Sequence, residues 1–179
     1  QTLPRLRALA DQIGLVAGAD VLEVGCGAGG ITAWLAGRVK PGRVVAVDFA
    51  PRMVERTRRK HPDADVRCRD VCSDDLGRAA YDLVLCYHSF PHFRDPPAAL
   101  ANLHRALRPG GRLVVLHLAG RARINALHDK VGGEVGGDHL PDAAGWDALL
   151  AEAGLRQLTC HDRDDLFLLI AQKPHGNSQ

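Results

Sequence analysis

The sequence lacks any apolar run long enough to cross a membrane and any large excess of one charge. A membrane-spanning helix needs roughly 18 or more consecutive apolar residues, whereas the longest candidate, 166–171, has the length of a strand. The 23 lysines and arginines nearly balance the 21 aspartates and glutamates, so no strong field favours nucleic acid or anionic lipid as a partner. Repeats, linkers and low-complexity segments are also missing. We therefore expect one domain over residues 1–179, with its core at about 20–173.

The composition is that of an ordinary globular domain, with 46% hydrophobic and 25% charged residues. These values exclude disordered, collagen-like and coiled-coil chains. Five cysteines occur without a paired C-x-x-C pattern, at Cys26, Cys68, Cys72, Cys86 and Cys160. A chain of this length does not need disulfides to hold its core. We expect reduced thiols and a cytoplasmic location.

Short Val- and Leu-rich runs alternate with helix-length segments along most of the chain. The predicted strands are 21–24, 43–47, 65–68, 82–86, 112–116, 156–161 and 166–171. The predicted helices are 31–39, 51–60, 97–107, 121–131 and 142–153. This alternation predicts an α/β fold with a doubly wound, mostly parallel sheet. The last two strands are too close in sequence for a parallel crossover, so they predict an antiparallel C-terminal hairpin.

A glycine-rich turn follows the first predicted strand, in the sequence Glu23-Val-Gly-Cys-Gly-Ala-Gly-Gly30. Glycines let the backbone turn tightly and approach a ligand, and the next helix begins with unpaired N–H groups that favour an anionic group. Gly25, Gly27 and Gly30 also satisfy G-x-G-x-x-G. The turn therefore predicts a nucleotide-like ligand, and a dinucleotide remains open.

Further motifs follow in order along the chain: Asp48-Phe-Ala-Pro-Arg-Met53, Arg69-Asp-Val71, and Leu-Arg-Pro-Gly-Gly at 107–111. Together with the acidic glycine motif and the final hairpin, they resemble the class I S-adenosylmethionine-dependent methyltransferases over about 21–173. The resemblance implies S-adenosylmethionine as cofactor and the Rossmann-like, seven-stranded sheet of that family.

The resemblance also implies roles for residues in these motifs. Gly25, Cys26, Gly27 and Gly29 would line the methionine moiety. Asp48 would hold the ribose, and Met53, Asp70 and Val71 would border the adenine. Glu23, Phe49 and Tyr87 complete the predicted cofactor-binding set.

The acceptor is expected beyond the ends of the fourth and fifth strands, near 86–93 and 116–118. His88, His92 and His117 fall there, and histidine is the natural general base near neutral pH. Each could instead be a hydrogen-bonded wall of the pocket. The Asn/Asp-Pro-Pro-aromatic motif of nucleobase methylation is missing from the fourth strand, and no basic stripe accompanies the aromatic residues. We expect a small-molecule methyl acceptor, with neither nucleic acid nor membrane as a partner.

Histidine density suggests a metal as well. His92, His117 and His128, with Asp138 and His139 nearby, could hold a divalent ion, or could simply contact the substrate. The glycine-rich segment within 120–141 is a candidate lid over the acceptor. Two other functions remain open: an NAD(P)-dependent oxidoreductase, and a non-catalytic module that binds the cofactor.

Overall fold

The structure is a computed structural model that describes residues 2–131 and 138–176. Seven strands form its sheet: β1 (Val21–Val24), β2 (Val44–Asp48), β3 (Asp65–Cys68), β4 (Tyr81–Tyr87), β5 (Leu107–His117), β6 (Arg156–Arg163) and β7 (Leu166–Gln172). The helices are α1 (Thr2–Leu9), α2 (Thr32–Val39), α3 (Pro51–Lys60), α4 (Pro96–Ala106), α5 (Arg121–Val131) and α6 (Ala143–Glu152). A short 3-10 helix, Phe90–His92, follows β4.

The sheet has the strand order β3-β2-β1-β4-β5-β7-β6. Strands β1 to β5 run parallel, and β7 pairs antiparallel with both β5 and β6. Only Asp164 and Asp165 separate β6 from β7, and so short a link joins only antiparallel strands. The predicted α/β class, the seven-stranded sheet and the C-terminal hairpin are confirmed.

Helices cover both faces of the sheet. Because side chains alternate along a strand, Val84 packs with Leu100 of α4 on one face, while Leu85 of β4 packs with Leu6 of α1 on the other. All four of these side chains are fully buried. The sequences of the central strands are therefore nearly continuous apolar runs, because both faces of the sheet are buried.

The largest differences from the sequence prediction concern two elements. Strand β5 begins at Leu107, five residues earlier than predicted, because Gly110 N–H donates to the Lys173 carbonyl and Lys173 N–H donates to the Gly111 carbonyl, each at 2.9 Å. The Pro-Gly-Gly segment is thus part of the paired strand. Helix α1 was not predicted, yet its Leu6 enters the core.

The five cysteines all lie within the described residues, and none forms a disulfide. No helix in the described part of the chain is long and apolar enough to cross a membrane.

Candidate active site

A cleft of about 650 Å³ opens at the carboxyl ends of β1, β2, β3 and β4. Six residues of the predicted cofactor set line it: Gly25, Gly27, Asp48, Phe49, Asp70 and Val71. Two of the predicted catalytic histidines, His88 and His92, line the same cleft. Ligands of doubly wound sheets bind at this edge, beside the point where the strand order reverses. The cleft thus brings most of the predicted cofactor residues together with the predicted acceptor rim.

Two glycines of the turn after β1 have different neighbours. Gly25 has φ +72°, and a Cβ atom there would lie 2.4 Å from Cβ of Ser89. Ser89 in turn donates to the Val24 carbonyl at 2.7 Å, so Gly25 allows the β1 and β4 ends to meet. Gly27 has φ +53°, but a Cβ atom there would meet no atom of the described chain within 4 Å. The open space beside Gly27 is therefore available for close approach of a ligand.

Asp48, at the end of β2, is fixed by two backbone groups. Gly27 N–H donates to its Oδ2 and Ala50 N–H to its Oδ1, each at 2.9 Å. The residue is 8% exposed and lines the cleft. A carboxylate has about four acceptor positions, so two further hydrogen bonds from a ligand are available to Asp48. Through the hydrogen bond from Gly27, the Asp48 carboxylate also connects the glycine turn to the end of β2.

Asp70 and Phe49 lie on the side of the cleft formed by β2 and β3. Asp70 accepts from Cys72 N–H at 3.0 Å and pairs with the guanidinium of Arg94. The Cys72 N–H and the Arg94 charge hold the pKa of Asp70 below its usual value. Phe49 is 63% exposed, which leaves an aromatic ring free to pack against a planar ligand.

Several predicted cofactor residues lie behind the cleft wall instead of lining it. Glu23 is buried and accepts from the Thr32 hydroxyl at 2.7 Å, and burial raises its pKa to about 7. Burial likewise raises the pKa of the Cys26 thiol to about 12, which makes it a poor nucleophile. A Cβ atom on Gly29 would lie 2.9 Å from the His61 ring. Glu23, Cys26 and Gly29 are therefore not among the residues that line the cleft.

Met53 and Tyr87 are also outside the lining of the cleft. Met53 lies on the partly covered first turn of α3. The Tyr87 ring packs edge-on against His88, with ring centroids 4.3 Å apart.

His88 and His117 pack edge to face at the acceptor end of the cleft, with an angle of 80° between their rings. His88 has φ +54°, an uncommon conformation for a residue other than glycine and one that clusters at functional sites. Leu118 N–H donates to its Nε2 at 3.3 Å, and burial lowers its pKa. The His117 ring lies 4.9 Å away, is 2% exposed, and has its pKa lowered to about 3, chiefly by burial. Both rings are therefore neutral at physiological pH.

His92 and His128 meet at Asp138. Nδ1 of His92 lies 2.7 Å from Oδ2 of Asp138, and Nδ1 of His128 contacts the Asp138 carbonyl. The two imidazole centroids are 5.1 Å apart. Asp138, which the sequence placed in the same candidate cluster as these histidines, is the residue that connects them.

The predicted metal site at His92, His117 and His128 has no support in the structure. No group of three or more His, Cys, Asp or Glu side chains placed to hold a metal occurs among residues 2–131 and 138–176. The Nδ1 atoms of His92 and His128 are engaged with Asp138, and the His117 ring packs edge to face against His88. Of the candidate lid, 121–131 is helix α5, and its glycine-rich residues 132–137 lie outside the described residues.

Eight of the residues that line the cleft are not in the predicted site set, among them Ser89, Phe93 and Arg94. These three lie in or beside the 86–93 segment that the sequence assigned to the acceptor rim. Their proximity to that rim was a usable signal, but nothing in the sequence pairs Arg94 with Asp70.

Comparison with known proteins agrees with this geometry. Residues 22–115 match a family model described as a methyltransferase domain. The chain belongs to the class I S-adenosylmethionine-dependent methyltransferases. This membership disfavours the nicotinamide-dependent alternative that the glycine spacing left open.

Two curated methyltransferases and one solved structure illustrate the relationship. A demethylmenaquinone methyltransferase from Thermus thermophilus is 37% identical over 100 residues, which are 54% of this chain and 46% of that protein. A malonyl-[acyl-carrier protein] O-methyltransferase from Acetivibrio thermocellus is 32% identical over 111 residues, 61% of this chain and 38% of that protein. The chain thus spans less than half the length of these relatives. The crystal structure of an S-adenosylmethionine-dependent methyltransferase from Aquifex aeolicus superposes with a TM-score of 0.74 at 21% identity, covering 93% of this chain and 88% of that one.

Proposed function

We propose that this protein transfers the methyl group of S-adenosylmethionine to a small-molecule acceptor. The observation that carries the proposal is that the glycine turn, Asp48, His88 and His92 line the same cleft. Candidate cofactor residues and candidate acceptor residues thereby border one continuous space. Methyl transfer is an in-line displacement, and it requires that the two reactants share such a space in a fixed orientation.

The residues of the cleft fit the proposed cofactor. The space beside Gly27, which a side chain would occupy, allows the methionine moiety to approach the backbone. Asp48 would accept from the ribose hydroxyls through its unused acceptor positions. Phe49, Asp70 and Val71 would border the adenine. When bound, S-adenosylmethionine supplies an activated methyl group on a positively charged sulfur.

The size and walls of the cleft support a small acceptor. Pockets of roughly 300–1,000 Å³ hold ligands of cofactor or drug size, and the cleft, at about 650 Å³, lies within that range. Phe93, His88 and His92 wall the remaining end. Of the two cleft arginines, Arg94 is paired with Asp70, so the cleft offers little free positive charge to a polyanion.

Two measurements test the proposal. Calorimetry should detect binding of S-adenosylhomocysteine and no binding of NAD⁺. The protein should then be incubated with a cell extract and S-adenosylmethionine carrying a radioactive methyl group, and the product separated by ultrafiltration. Label that depends on the protein and appears in the small-molecule filtrate supports the proposal. Label confined to retained protein, carrier or nucleic acid would overturn the acceptor class, and absence of S-adenosylhomocysteine binding would overturn the function.

A further inference from the structure

Among the four histidines around the acceptor end, His92 alone combines access to the cleft with a carboxylate partner. Its side chain is 41% exposed and lines the cleft, as does Asp138, whose side chain is 26% exposed. The 2.7 Å contact joins Nδ1 of the imidazole to Oδ2 of the carboxylate. His92 follows β4 in the 3-10 helix, whereas Asp138 precedes α6, so the contact connects two distant parts of the chain.

This contact sets which ring nitrogen of a neutral His92 carries the proton. A carboxylate only accepts hydrogen bonds, so Nδ1 must be the donor and Nε2 keeps a lone pair. Nε2 has no hydrogen-bond partner among residues 2–131 and 138–176. The result is an oriented imidazole with one nitrogen ready to accept a proton.

The other histidines do not offer the same arrangement. Nε2 of His88 already accepts from Leu118 N–H. His117 is buried and outside the lining of the cleft, and its very low pKa disfavours its charged form. His128 also lies outside the lining, with Nδ1 against the Asp138 carbonyl. Of these four histidines, His92 is therefore the one placed to accept a proton from a ligand in the cleft.

We propose that His92 is the general base of the methyl transfer, that Asp138 is its positioning residue, and that the acceptor nucleophile is a hydroxyl oxygen. The proposal rests on the function proposed above. The hydroxyl oxygen forms a bond to the methyl carbon, and the carbon–sulfur bond breaks with its electron pair left on sulfur. The hydroxyl proton passes to Nε2 of His92, and the resulting imidazolium lies beside the Asp138 carboxylate until the proton is released to water.

A hydroxyl is the acceptor for which this arrangement matters most. A neutral amine attacks with its own lone pair and loses its proton afterwards, whereas a hydroxyl becomes a strong nucleophile only as its proton leaves. General-base assistance of this kind contributes about 10²–10⁴-fold to a rate. An oriented imidazole at the acceptor end therefore favours oxygen over nitrogen as the methylated atom.

Nuclear magnetic resonance of the whole protein with ¹⁵N-labelled histidine tests the positioning role, with S-adenosylhomocysteine present. The wild type should show His92 with protonated Nδ1 and unprotonated Nε2, in at least about tenfold excess over the other tautomer. Asp138→Asn should reduce that excess severalfold, and Asp138→Glu should restore part of it. A wild-type His92 protonated on Nε2, or a tautomer ratio that Asp138→Asn leaves unchanged, would overturn the positioning role.

A second histidine provides a matched control. Nε2 of His139 lies 2.8 Å from Oδ1 of Asp129, and its side chain is 43% exposed, which is close to the exposure of His92. Asp129→Asn should change the tautomer of His139 and leave that of His92 unchanged. A change at His92 in this variant would mean that the signal reports general disturbance of the fold.

The hydroxyl preference is tested with phenol and aniline as probes on the same complex. Phenol should donate to Nε2 of His92 and shift its ¹⁵N signal in a saturable manner, and aniline at equal concentration should shift it severalfold less. Equal shifts, or no shift with phenol, would overturn the hydroxyl assignment. Calorimetry of S-adenosylhomocysteine separates the two proposals, because absent binding refutes the function, whereas normal binding with the wrong tautomer refutes only the role of His92.

Discussion

Substitution of Gly27 by alanine separates ligand binding from folding. At φ +53°, alanine carries a strain of about 1–2 kcal/mol. Its Cβ atom would meet no atom of the described chain within 4 Å, so no clash adds to that strain. For a domain of this size, 1 kcal/mol lowers the melting temperature by about 2–4 °C. We therefore expect differential scanning calorimetry to show a modest decrease in the melting temperature of Gly27→Ala.

Ligand binding should respond more strongly than stability. The new methyl group would occupy the open space beside Gly27, next to the Asp48 carboxylate that Gly27 N–H contacts. We expect the dissociation constant of S-adenosylhomocysteine to rise at least tenfold, which corresponds to about 1.4 kcal/mol. Isothermal titration calorimetry at a temperature well below the melting transition measures this change on folded protein.

Two neighbouring glycines provide controls for this prediction. Gly30 is exposed and outside the lining of the cleft, so Gly30→Ala should leave both affinity and stability near the wild-type values. In Gly25→Ala, the new Cβ atom would lie 2.4 Å from Ser89, so that variant should lose far more stability than Gly27→Ala. Wild-type affinity in Gly27→Ala would refute the placement of the ligand beside this residue.

Three further predictions concern buried groups of the site. Asp48→Ala should weaken S-adenosylhomocysteine binding at least tenfold by calorimetry, and should also lower stability by about 1–3 kcal/mol for each backbone N–H it leaves unpaired. The raised pKa of Glu23 means that the native state holds a proton which the unfolded state releases between pH 4.5 and about 7. Stability from this group is therefore lost as pH rises through that window, by about 3 kcal/mol in all, and Glu23→Gln should abolish the loss in urea titrations at several pH values. The lowered pKa of His117 has the opposite sign, because its stability is present above pH 6.5 and is lost on acidification. His117→Phe should therefore spare the protein about 2 kcal/mol of destabilisation between pH 6.5 and 5, and an unchanged pH dependence would refute the buried neutral imidazole.

Local sequence signals predicted the part of the fold and site that local chemistry determines. The glycine turn and Asp48 each follow an apolar strand directly, so the sheet brings them to one edge whatever the rest of the chain does. The C-terminal hairpin was equally predictable, since two strands separated by so few residues have only one pairing available.

Long-range pairs were beyond the reach of sequence reasoning. Arg94 and Asp70 are 24 residues apart, and His92 and Asp138 are 46 apart. No periodicity or spacing rule connects residues across such distances, because the connection depends on how whole elements pack. Helix α1 was missed for a related reason. A helix of eight residues has little stability of its own, and its Leu6 is buried only because the helix packs against the sheet.

Motif residues also need not touch the ligand. Glu23 belongs to the acidic glycine motif, but its carboxyl group contacts Thr32 of α2 and lies behind the cleft wall. Its contribution is to hold the start of α2 against β1 and so to fix the turn between them. A motif therefore identifies a conformation more directly than it identifies a contact surface.

The three candidate catalytic histidines likewise share a position in the sequence pattern but differ in the contacts of their ring nitrogens. In sequence, His88, His92 and His117 are equivalent, since each follows or ends a strand that reaches the same rim. In the structure, the partner of one ring nitrogen separates them: a backbone N–H for His88, a carboxylate for His92, and none among the described residues for His117. An N–H donor occupies the lone pair that a base needs, whereas a carboxylate on the opposite nitrogen frees it. The chemistry of each imidazole is thus determined by a residue elsewhere in the chain, which is why strand positions could locate the acceptor rim but could not identify its base.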